Sequence, residues 1–547
     1  MNFKHLFLLP LGVLATAALA APGVGADPAA AARVQAHVQF LADDLLEGRG
    51  TGTRGHEIAA AYVASQFRAM GLEPGGENGS WYQWVPLRRA TLVPGKTSIA
   101  MTLDGKSAPV SEYELGLSPS LAARSRAIDA GMVFVGYGLV DKRMGLDDYA
   151  GLDVRGKIVV ALRGTPEGLP SDIAAHIGST KGALAAQRGA VGMLVIPARA
   201  PSMAASNPPR SLYSNARSTD WIDGAGKPGS DPIGVAVDLS ASRAMAERLF
   251  AGAARSLADV RAEAAKSGAR PRGFALRPVL SIRSESAWED FRSPEVIGRL
   301  PGVDSALKAE HIVLMGHLDH IGIKADAKPG EDRIYNGAID NAAGVSTLLE
   351  AARQFSTSGR PPRRSLLFVA NTGEELGLLG AGYFAAHPTV PIGQIAGLVD
   401  LDMPIPLYEF NDVTAFGAAH STVAKNVASA AAELGIKVSP DPMPAEAIFV
   451  RSDHYRFVEK GVPAILLMTG YGNGGEAVWK GWFNTVYHGL KDDLNQPFKW
   501  SALARYADLN YRIARQLADA DSRPRWYQGN YFGDLFAPGV PRAPAGK

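Results

Sequence analysis

The sequence predicts an α/β protein in which a mixed sheet lies between layers of helices and a smaller β-rich domain is inserted. Three observations lead to this prediction. Between residues 293 and 520, strand-like apolar runs alternate with helix-like segments. Between about 130 and 200, short Val-rich runs are bounded by glycines. The chain has 547 residues, which is more than one compact core holds, so two structural domains are expected.

The first part of the chain, residues 27–124, is predicted to be the N-terminal portion of the larger domain. In "HEIAAAYVASQFRAMG" (56–71) apolar side chains recur at helical spacing, and Gly71 follows the last of them. The upstream segment "ARVQAHVQFLADDLLEG" has the pattern of a second helix. The sequence "GRGTGTRG" between them predicts a loop.

The inserted domain is predicted to span residues 125–285. Its strands are expected in "GMVFVGYG", "GKIVVALRG" and "VGMLVIPA". Residues 200–235 are rich in Ser, Pro, Gly and Asn, which is typical of long surface loops.

The main domain is predicted to span residues 286–525, followed by a C-terminal tail over 526–547. The runs "HIVLMG", "SLLFVAN", "IAGLVDLDM" and "PAILLMTG" indicate buried strands. Segments such as "AAGVSTLLEAARQF" indicate helices between them.

Composition and targeting signals restrict the class of protein. The 56 basic and 54 acidic residues give a net charge of +2 without a basic stripe, so nucleic acid is not an expected partner. Residues 1–20 resemble a secretory signal peptide cleaved after Ala20. We therefore expect export to a bacterial periplasm or the medium, with no membrane association after cleavage. The chain has no cysteine, so any metal must bind through His, Asp or Glu.

Polar side chains appear where the apolar runs of the main domain stop. Ligand sites in open α/β sheets form beyond the carboxyl ends of the strands, so these side chains are expected to share one crevice. They are His317 after "IVLMG", Glu374 and Glu375 after "LLFVAN", Asp402 at the end of "AGLVDLD", and Asp340 in "NGAIDNAAG" at the start of a helix.

Imidazole and carboxylate groups together indicate a zinc site. Without thiolates, neutral imidazoles and carboxylate oxygens form a zinc ligand set, and one carboxylate can bridge two ions about 3.5–4 Å apart. The sequence therefore predicts two zinc ions held by His317, Asp340, Glu375, Asp402 and His488.

Two further acids are given supporting roles. Asp319 lies two residues after His317, so in an extended segment it points the same way and can accept the other N–H of that imidazole. Glu374 precedes a predicted ligand and is expected to face the opposite side, which makes it the predicted general base.

Each residue also has an ordinary structural explanation. Asp340 can be a helix N-cap, and the pair Glu374 and Glu375 can be a solvated helix start. We interpret His320 as structural, with its ring bonded to backbone, and His454 as support for the site. Only the combination of residues favours a metal centre.

The motifs resemble those of the twenty-eighth metallopeptidase family, which contains aminopeptidases and glutamate carboxypeptidases with two zinc ions. They are "GHLDHIG", "NGAIDNAAG", "NTGEELGLLGAGYF", "LVDLDMP", "RSDHYRFVEKGVPAILLMTG" and "VYHGLKDDL". The blocks "FVGYG", "DDYAGLDVRGKIVVALRG" and "AQRGAVGMLVIP" are similar to the protease-associated (PA) domain that many members carry. The resemblance covers most of the chain and implies a zinc-exopeptidase-like fold with a PA-type insert.

The resemblance also implies a role for each matching residue. His317, Asp340 and Asp402 would hold one zinc ion, and Asp340, Glu375 and His488 the other. Glu374 would be the base, while Asp319 and Asp492 would support the ligands.

These expectations together predict a secreted zinc exopeptidase that acts on peptide substrates, preferentially as an aminopeptidase. One alternative is a carboxypeptidase of glutamate carboxypeptidase type, in which Arg451 grips the substrate carboxylate; the same arginine can instead pair with a local acid. A second alternative is a non-catalytic binding protein on the same scaffold. Trp479, Trp482 and Phe483 are candidates for a side-chain pocket or for the core, and Tyr487 or Tyr455 for an oxyanion donor.

Overall fold

The computed structural model describes residues 27–198, 211, 216–230 and 234–545. The signal peptide predicted over residues 1–20 lies outside this part of the chain. The α-helices are α1 (Pro28–Leu41), α2 (Arg54–Ala69), α3 (Ser171–Ser179), α4 (Lys181–Gln187), α5 (Arg243–Leu249), α6 (Leu257–Ala264), α7 (Gly344–Thr357), α8 (Leu379–Ala386), α9 (Val423–Glu433), α10 (His454–Val458), α11 (Gly475–Thr485), α12 (Trp500–Asp519) and α13 (Tyr531–Phe536).

The strands are β1 (Glu73–Pro74), β2 (Tyr82–Leu92), β3 (Ser98–Leu103), β4 (Lys106–Pro109), β5 (Leu115–Leu117), β6 (Ser125–Phe134), β7 (Val140–Asp141), β8 (Leu146–Asp147), β9 (Ile158–Leu162), β10 (Gly192–Ile196), β11 (Arg217–Trp221), β12 (Val237–Ala241), β13 (Phe274–Leu300), β14 (His311–His317), β15 (Gly322–Ile323), β16 (Ile334–Tyr335), β17 (Ser365–Asn371), β18 (Ile395–Asp400), β19 (Asp412–Phe416), β20 (Lys437–Ser439) and β21 (Ala464–Thr469).

The main sheet is mixed, as the sequence predicts. Its order is β11-β2-β13-β17-β14-β18-β21-β19-β20, and β17, β14, β18 and β21 are mutually parallel. Every residue of these four strands is buried, which explains their unbroken apolar runs. Two groups of helices cover the sheet: α1, α7 and α12 contact one another, and α8 contacts α10. The predicted α/β class is confirmed.

The two helices near the N-terminus begin at capping side chains. Asp27 accepts a hydrogen bond from the Ala29 N–H at the start of α1. Thr53 does the same for His56 at the start of α2. Both side chains satisfy backbone donors that a first helical turn leaves unpaired.

A second sheet forms the inserted unit, and the 27-residue strand β13 runs through both sheets. The order here is β4-β3-β13-β6-β9-β10-β12-β5. Its core includes residues from Ile99 to Ile282. The predicted start at 125 therefore needs correction, because β3 pairs with the first half of β13 and adds its buried side chains to this core.

The predicted C-terminal tail, residues 526–547, also needs correction. Residues 526–545 pack on the main domain, where Trp526 is 1% exposed and Phe532 is fully buried. The Trp526 indole donates to the Gly461 carbonyl at 2.8 Å, and the Ala543 N–H donates to the Trp526 carbonyl at 2.9 Å. Large aromatic side chains with satisfied polar groups anchor this segment.

The parallel strands bring their carboxyl ends to one edge. In the register of the sheet, His317 lies beside Asn371, and Met315 lies beside Asp400. The loop before α2 reaches the same edge, since Gly50 forms a β-bridge with His320.

Candidate metal centre

Two sets of donor atoms meet at this edge and share Asp340. In the first set, His317 Nε2 lies 3.2 Å from Asp340 Oδ1 and 3.1 Å from Asp402 Oδ1. In the second set, His488 Nε2 lies 3.3 Å from Asp340 Oδ2 and 3.2 Å from Glu375 Oε2. The two carboxylate oxygens of Asp340 therefore face different sets. The structure brings together all five side chains proposed as ligands.

The spacing of these donors fits zinc. Ligand atoms about 2.0–2.1 Å from a tetrahedrally coordinated zinc ion are about 3.3 Å from one another. The distances from the histidine Nε2 to each carboxylate oxygen of its set range from 3.1 to 3.3 Å. The chemistry of the donors, two imidazoles and three carboxylates, suits the same metal.

The negative charge of the buried carboxylates also favours the binding of cations at this centre. Burial, together with the charge of Asp340, raises the pKa of Glu375 to about 8, and burial raises the pKa of Asp402. Burial acts to lower the pKa of His317, but the carboxylates of Asp402 and Asp340 raise it well above its usual range. Buried carboxylates of this density require protons or metal ions to balance their charge.

His317 is the last residue of β14, and its ring is oriented by the main chain. Its Nδ1 lies 3.1 Å from the Asp319 carbonyl oxygen, but 4.0 Å from the Asp319 carboxylate. The predicted carboxylate contact therefore needs correction, because Asp319 directs its side chain elsewhere. Its Oδ2 accepts from the Thr51 hydroxyl at 2.7 Å, and its Oδ1 accepts from the Glu374 N–H at 3.2 Å.

Asp340 lies in a tight turn that Asp492 holds. The two carboxylate oxygens of Asp492 each accept one N–H at 2.9 Å, from Ile339 and from Asp340. The Asp492 carbonyl accepts from the Ala338 N–H at 3.1 Å. Burial raises the pKa of Asp492 to about 7. The acid that the family resemblance placed in a supporting role thus lies directly behind the shared ligand.

Asp402 follows β18 and is held by Ser452. The Ser452 hydroxyl lies 2.8 Å from Asp402 Oδ2 and 2.8 Å from Asp400 Oδ2. His454 supports Asp400 through its main-chain N–H at 3.2 Å and its Nδ1 at 3.1 Å. This arrangement agrees with the interpretation of His454 as support.

His320 contacts one of the proposed ligands, which the sequence did not indicate. Its ring is 1% exposed, and its Nδ1 lies 2.6 Å from Glu375 Oε1. Donor atoms of His320, Asp340 and Glu375 all lie within 4.8 Å of one another. Among the described residues neither ring nitrogen makes a well-aligned hydrogen bond, so the expected bond to backbone is absent. Burial lowers the pKa of His320 to about 4, so this imidazole is neutral.

Glu374 and Glu375 separate as predicted, but for a different reason. They lie in a turn rather than an extended segment. Glu374 lines a cavity together with Asp340 and Asp402, whereas Glu375 points towards His320 and His488. Burial raises the pKa of Glu374 well above its usual range.

The cavity beside the centre holds about 480 Å³ of empty space, including its open mouth. Its lining includes three acids, Asp340, Glu374 and Asp402. The other lining residues are the apolar Met403, Ile448, Leu466, Met468 and Phe483, together with Arg451, Ser452 and Tyr487. A cavity of this kind suits a ligand with one apolar group and one reactive polar group.

The structure separates the aromatic candidates. Tyr487 lines the cavity and stacks on His488, with 3.8 Å between ring centroids. Tyr455 instead places its hydroxyl 2.7 Å from His176 Nδ1. Trp479 and Trp482 are both 2% exposed and lie in the main core, so they are core residues and not part of a side-chain pocket.

Arg451 lines the cavity but is already paired. Its guanidinium contacts the Glu446 carboxylate at 2.9 Å. The local ion pair is therefore the alternative that the structure shows. Thr51 and Ser452 are site residues that the sequence analysis did not identify. The only indication for Thr51 was its position as a polar residue in the glycine-rich loop "GRGTGTRG".

Comparison with family models gives two matches. The model of peptidase family M28 matches residues 295–514. The PA domain model matches residues 130–226. The first match contains all five donor side chains and Glu374. The second covers β9, β10 and the second half of β6 of the inserted unit, and it also includes β11, which pairs with β2 of the main sheet.

Solved structures with a similar fold include an aminopeptidase from Aneurinibacillus sp. strain AM-1. It is 20% identical, covers 90% of this chain and 95% of its own, and has a TM-score of 0.50. A zinc aminopeptidase from Bacillus subtilis is 17% identical, with coverage of 90% and 95% and a TM-score of 0.42. At 20% identity, the likeness to the first of these structures concerns the fold alone.

Curated relatives share shorter segments. A vacuolar membrane protease of Candida glabrata is 32% identical over 100 residues, which are 18% of this chain and 9% of that protein. A vacuolar membrane protease of Yarrowia lipolytica is 22% identical over 245 residues, which are 45% of this chain and 22% of that protein. The chain thus spans a small part of the length of these relatives. Within the described residues, no helix has the length and apolarity needed to cross a membrane.

Proposed function

Since the chain is a metallopeptidase that belongs to peptidase family M28 and carries a PA domain, we propose that it is a zinc-dependent exopeptidase. Its preferred reaction is the removal of single residues from the amino ends of peptides, with two zinc ions bound. The observation that carries the proposal is the pair of donor sets sharing Asp340 beside the cavity that Glu374 lines.

In the proposed hydrolysis, Glu374 and Tyr487 have different catalytic roles. Bound zinc would polarise the scissile carbonyl and lower the pKa of a bound water molecule. Glu374 accepts the proton of the attacking water and delivers it to the leaving amine nitrogen. The hydroxyl of Tyr487, at the cavity wall, donates a hydrogen bond to the carbonyl oxygen as negative charge develops there.

The charges around the cavity support an aminopeptidase. Three carboxyl groups line the cavity, and a substrate ammonium group is attracted by their negative field. A carboxypeptidase would need a free cation for the terminal carboxylate, whereas the cavity's Arg451 is paired with Glu446. The non-catalytic alternative has less support, because the base and all five donors are present in one place.

Two experiments test the proposed activity. A peptide with a free amino end should be shortened from that end, while its N-acetylated counterpart should persist; mass spectrometry of timed samples distinguishes the two. Shortening from the carboxyl end would favour the carboxypeptidase alternative.

The second experiment is Glu374→Gln, which should leave zinc bound and lower kcat by about 10²- to 10⁴-fold, the range for loss of general base catalysis. Zinc content by elemental analysis and kcat on a leucine chromogenic substrate are the readouts. Full activity of this variant would refute the role of Glu374.

Export is the remaining part of the proposal, and it is supported by the basic start, apolar stretch and small residues of positions 1–20. Expression of the full chain in a bacterium, followed by mass determination of the periplasmic product, should show a mature start at Ala21. An intact Met1 in the cytoplasmic fraction alone would count against export.

A further inference from the structure

Arg49 is a buried cation beside the metal centre. Its side chain is 1% exposed, and among the described residues its guanidinium donates to no carboxylate. Burial of an arginine without a directly paired acid is costly, so the fold must gain something from its position.

All of the hydrogen bonds that this guanidinium makes go to main-chain carbonyls of other segments. Nε donates to the Leu318 carbonyl at 2.9 Å, directly after the ligand His317. Nη1 donates to the Asn336 carbonyl at 2.6 Å, and Nη2 donates to the Gly337 carbonyl at 3.0 Å. A further bond from Nη1 reaches the end of α1 at Leu41. One planar group therefore ties the loop after β14 to the segment that leads into Asp340.

The choice of acceptors leaves the ligand oxygens free. Burial lowers the pKa of Arg49 to about 10, while the charges of Asp492, Asp319 and Asp340 act to raise it, so the group remains protonated at neutral pH. Its positive charge stabilises the acidic centre. Because its N–H groups are engaged by carbonyls, it does not compete with a metal ion for Asp340 or Glu375.

The neighbouring residues of the same loop reinforce these contacts. The Arg49 carbonyl accepts from the His320 N–H at 3.2 Å. Thr51 donates to Asp319 at 2.7 Å. Gly48 has a φ of +68°, and a Cβ at that position would lie 2.5 Å from the carbonyl oxygens of Gly322 and Tyr335. The loop thus lies tightly against both ligand-bearing segments.

We propose that Arg49 is a positioning residue for the metal centre: it fixes the loop that carries His317 relative to the turn that carries Asp340, and thereby sets the affinity for zinc. The inference rests on the proposed function, because it concerns zinc held by these residues. Its consequence is that zinc binding, and not only folding, depends on the guanidinium.

Arg364 provides a matched control. It is also fully buried and donates to main-chain carbonyls, among them that of Leu517 at 3.3 Å, but its Nε also donates to the Glu310 carboxylate at 2.7 Å. It precedes β17, at the end of that strand opposite to Asn371 and the centre. A lysine at either position keeps the charge but loses the fork of donors. Both variants remove hydrogen bonds to main-chain carbonyls, and Arg364→Lys also disturbs an ion pair with Glu310. Only Arg49 lies beside the proposed zinc ligands.

The experiment measures zinc affinity by competition with a chromophoric chelator, and stability by urea unfolding in excess chelator, for the full chain and both variants. Arg49→Lys should weaken zinc binding by about 10- to 100-fold, the range for residues that orient metal ligands. Arg364→Lys should bind zinc as the unmodified chain does. Excess zinc should restore the activity of Arg49→Lys.

Equal zinc affinity in Arg49→Lys and Arg364→Lys would overturn the inference while leaving the proposed function intact. An unmodified chain that binds no zinc would overturn both. Should Arg49→Lys fail to fold, Thr51→Val, which keeps the volume and removes one hydroxyl of the same loop, should weaken zinc binding in the same direction by a smaller factor. Unchanged zinc affinity in that variant would then overturn the inference.

Discussion

Substitution of Asp340 distinguishes one metal centre with a shared carboxylate from two sites that share no ligand. Its Oδ1 belongs to the set with His317 and its Oδ2 to the set with His488. Asp340→Ala should therefore abolish the binding of both zinc ions. Asp402→Ala should remove a donor only from the first set, and His488→Ala only from the second.

The expected magnitudes follow from this division. Each ion bound at 100 times its dissociation constant adds about 2.7 kcal/mol to the free energy of unfolding, so two ions add about 5.4 kcal/mol. Asp402→Ala and His488→Ala should each retain about half of this zinc-dependent gain. Asp340→Ala should retain almost none, although its stability in chelator should be close to that of the unmodified chain.

The assay is urea unfolding of each variant with excess zinc and with excess chelator, together with zinc per chain by elemental analysis. The expected contents are two ions for the unmodified chain, one for each single-set variant and none for Asp340→Ala. One firmly bound ion in Asp340→Ala would refute the sharing of this carboxylate. Loss of both ions in Asp402→Ala and in His488→Ala would refute the independence of the two sets.

Three further predictions concern other parts of the molecule. Tyr487→Phe should lower kcat by about 10²- to 10³-fold in steady-state assays, the cost of one oxyanion donor, with zinc content unchanged; an unchanged kcat would assign the donor elsewhere. Trp526→Ala should lower the free energy of unfolding, measured in urea, by about 3–5 kcal/mol, since it empties a buried site and leaves the Gly461 carbonyl unpaired. A decrease below about 1 kcal/mol would favour the original prediction of a C-terminal tail that does not stabilise the main domain. Burial lowers the pKa of His37 to about 4, so its neutral form stabilises the fold above pH 6.5, and about 3 kcal/mol should be lost as pH falls from 6.5 to 4. His37→Gln should reduce that slope in unfolding titrations, and an unchanged slope would contradict the assigned burial.

The positions of the donors could be predicted because they follow from strand chemistry. Strands buried on both faces are apolar throughout, so the first polar side chain after each run marks the end of the strand. Since neighbouring parallel strands end at one edge, His317 and Asp402 had to come close. No comparable strand-end argument applies to His488, which was included in the ligand set as an imidazole and was assigned to the second ion only through the family resemblance.

The orientation of supporting side chains could not be predicted in the same way. Asp319 was expected to contact His317, but its carboxylate turned to Thr51 and Glu374. His320 was expected to bond to backbone, but it lies against Glu375. These choices depend on loop geometry and on side-chain rotation, which spacing along the chain does not determine.

Long-range main-chain contacts and domain edges were also beyond pattern analysis. Arg49 acts through carbonyls, and any residue type supplies a carbonyl, so no motif marks its partners. The start of the inserted unit was placed too late because β3 reads as an ordinary short strand until its pairing with β13 is known. The last segment reads as a Pro-rich tail, although Trp526 anchors it.

The most direct measurement of the central claim is a crystal structure of the full chain grown with zinc, with diffraction recorded at the zinc absorption edge. We predict two anomalous peaks about 3.5–4 Å apart, one on each side of the Asp340 carboxylate, with Glu374 beside them but not bound. A single peak away from Asp340, or peaks ligated by residues of another surface, would contradict this claim.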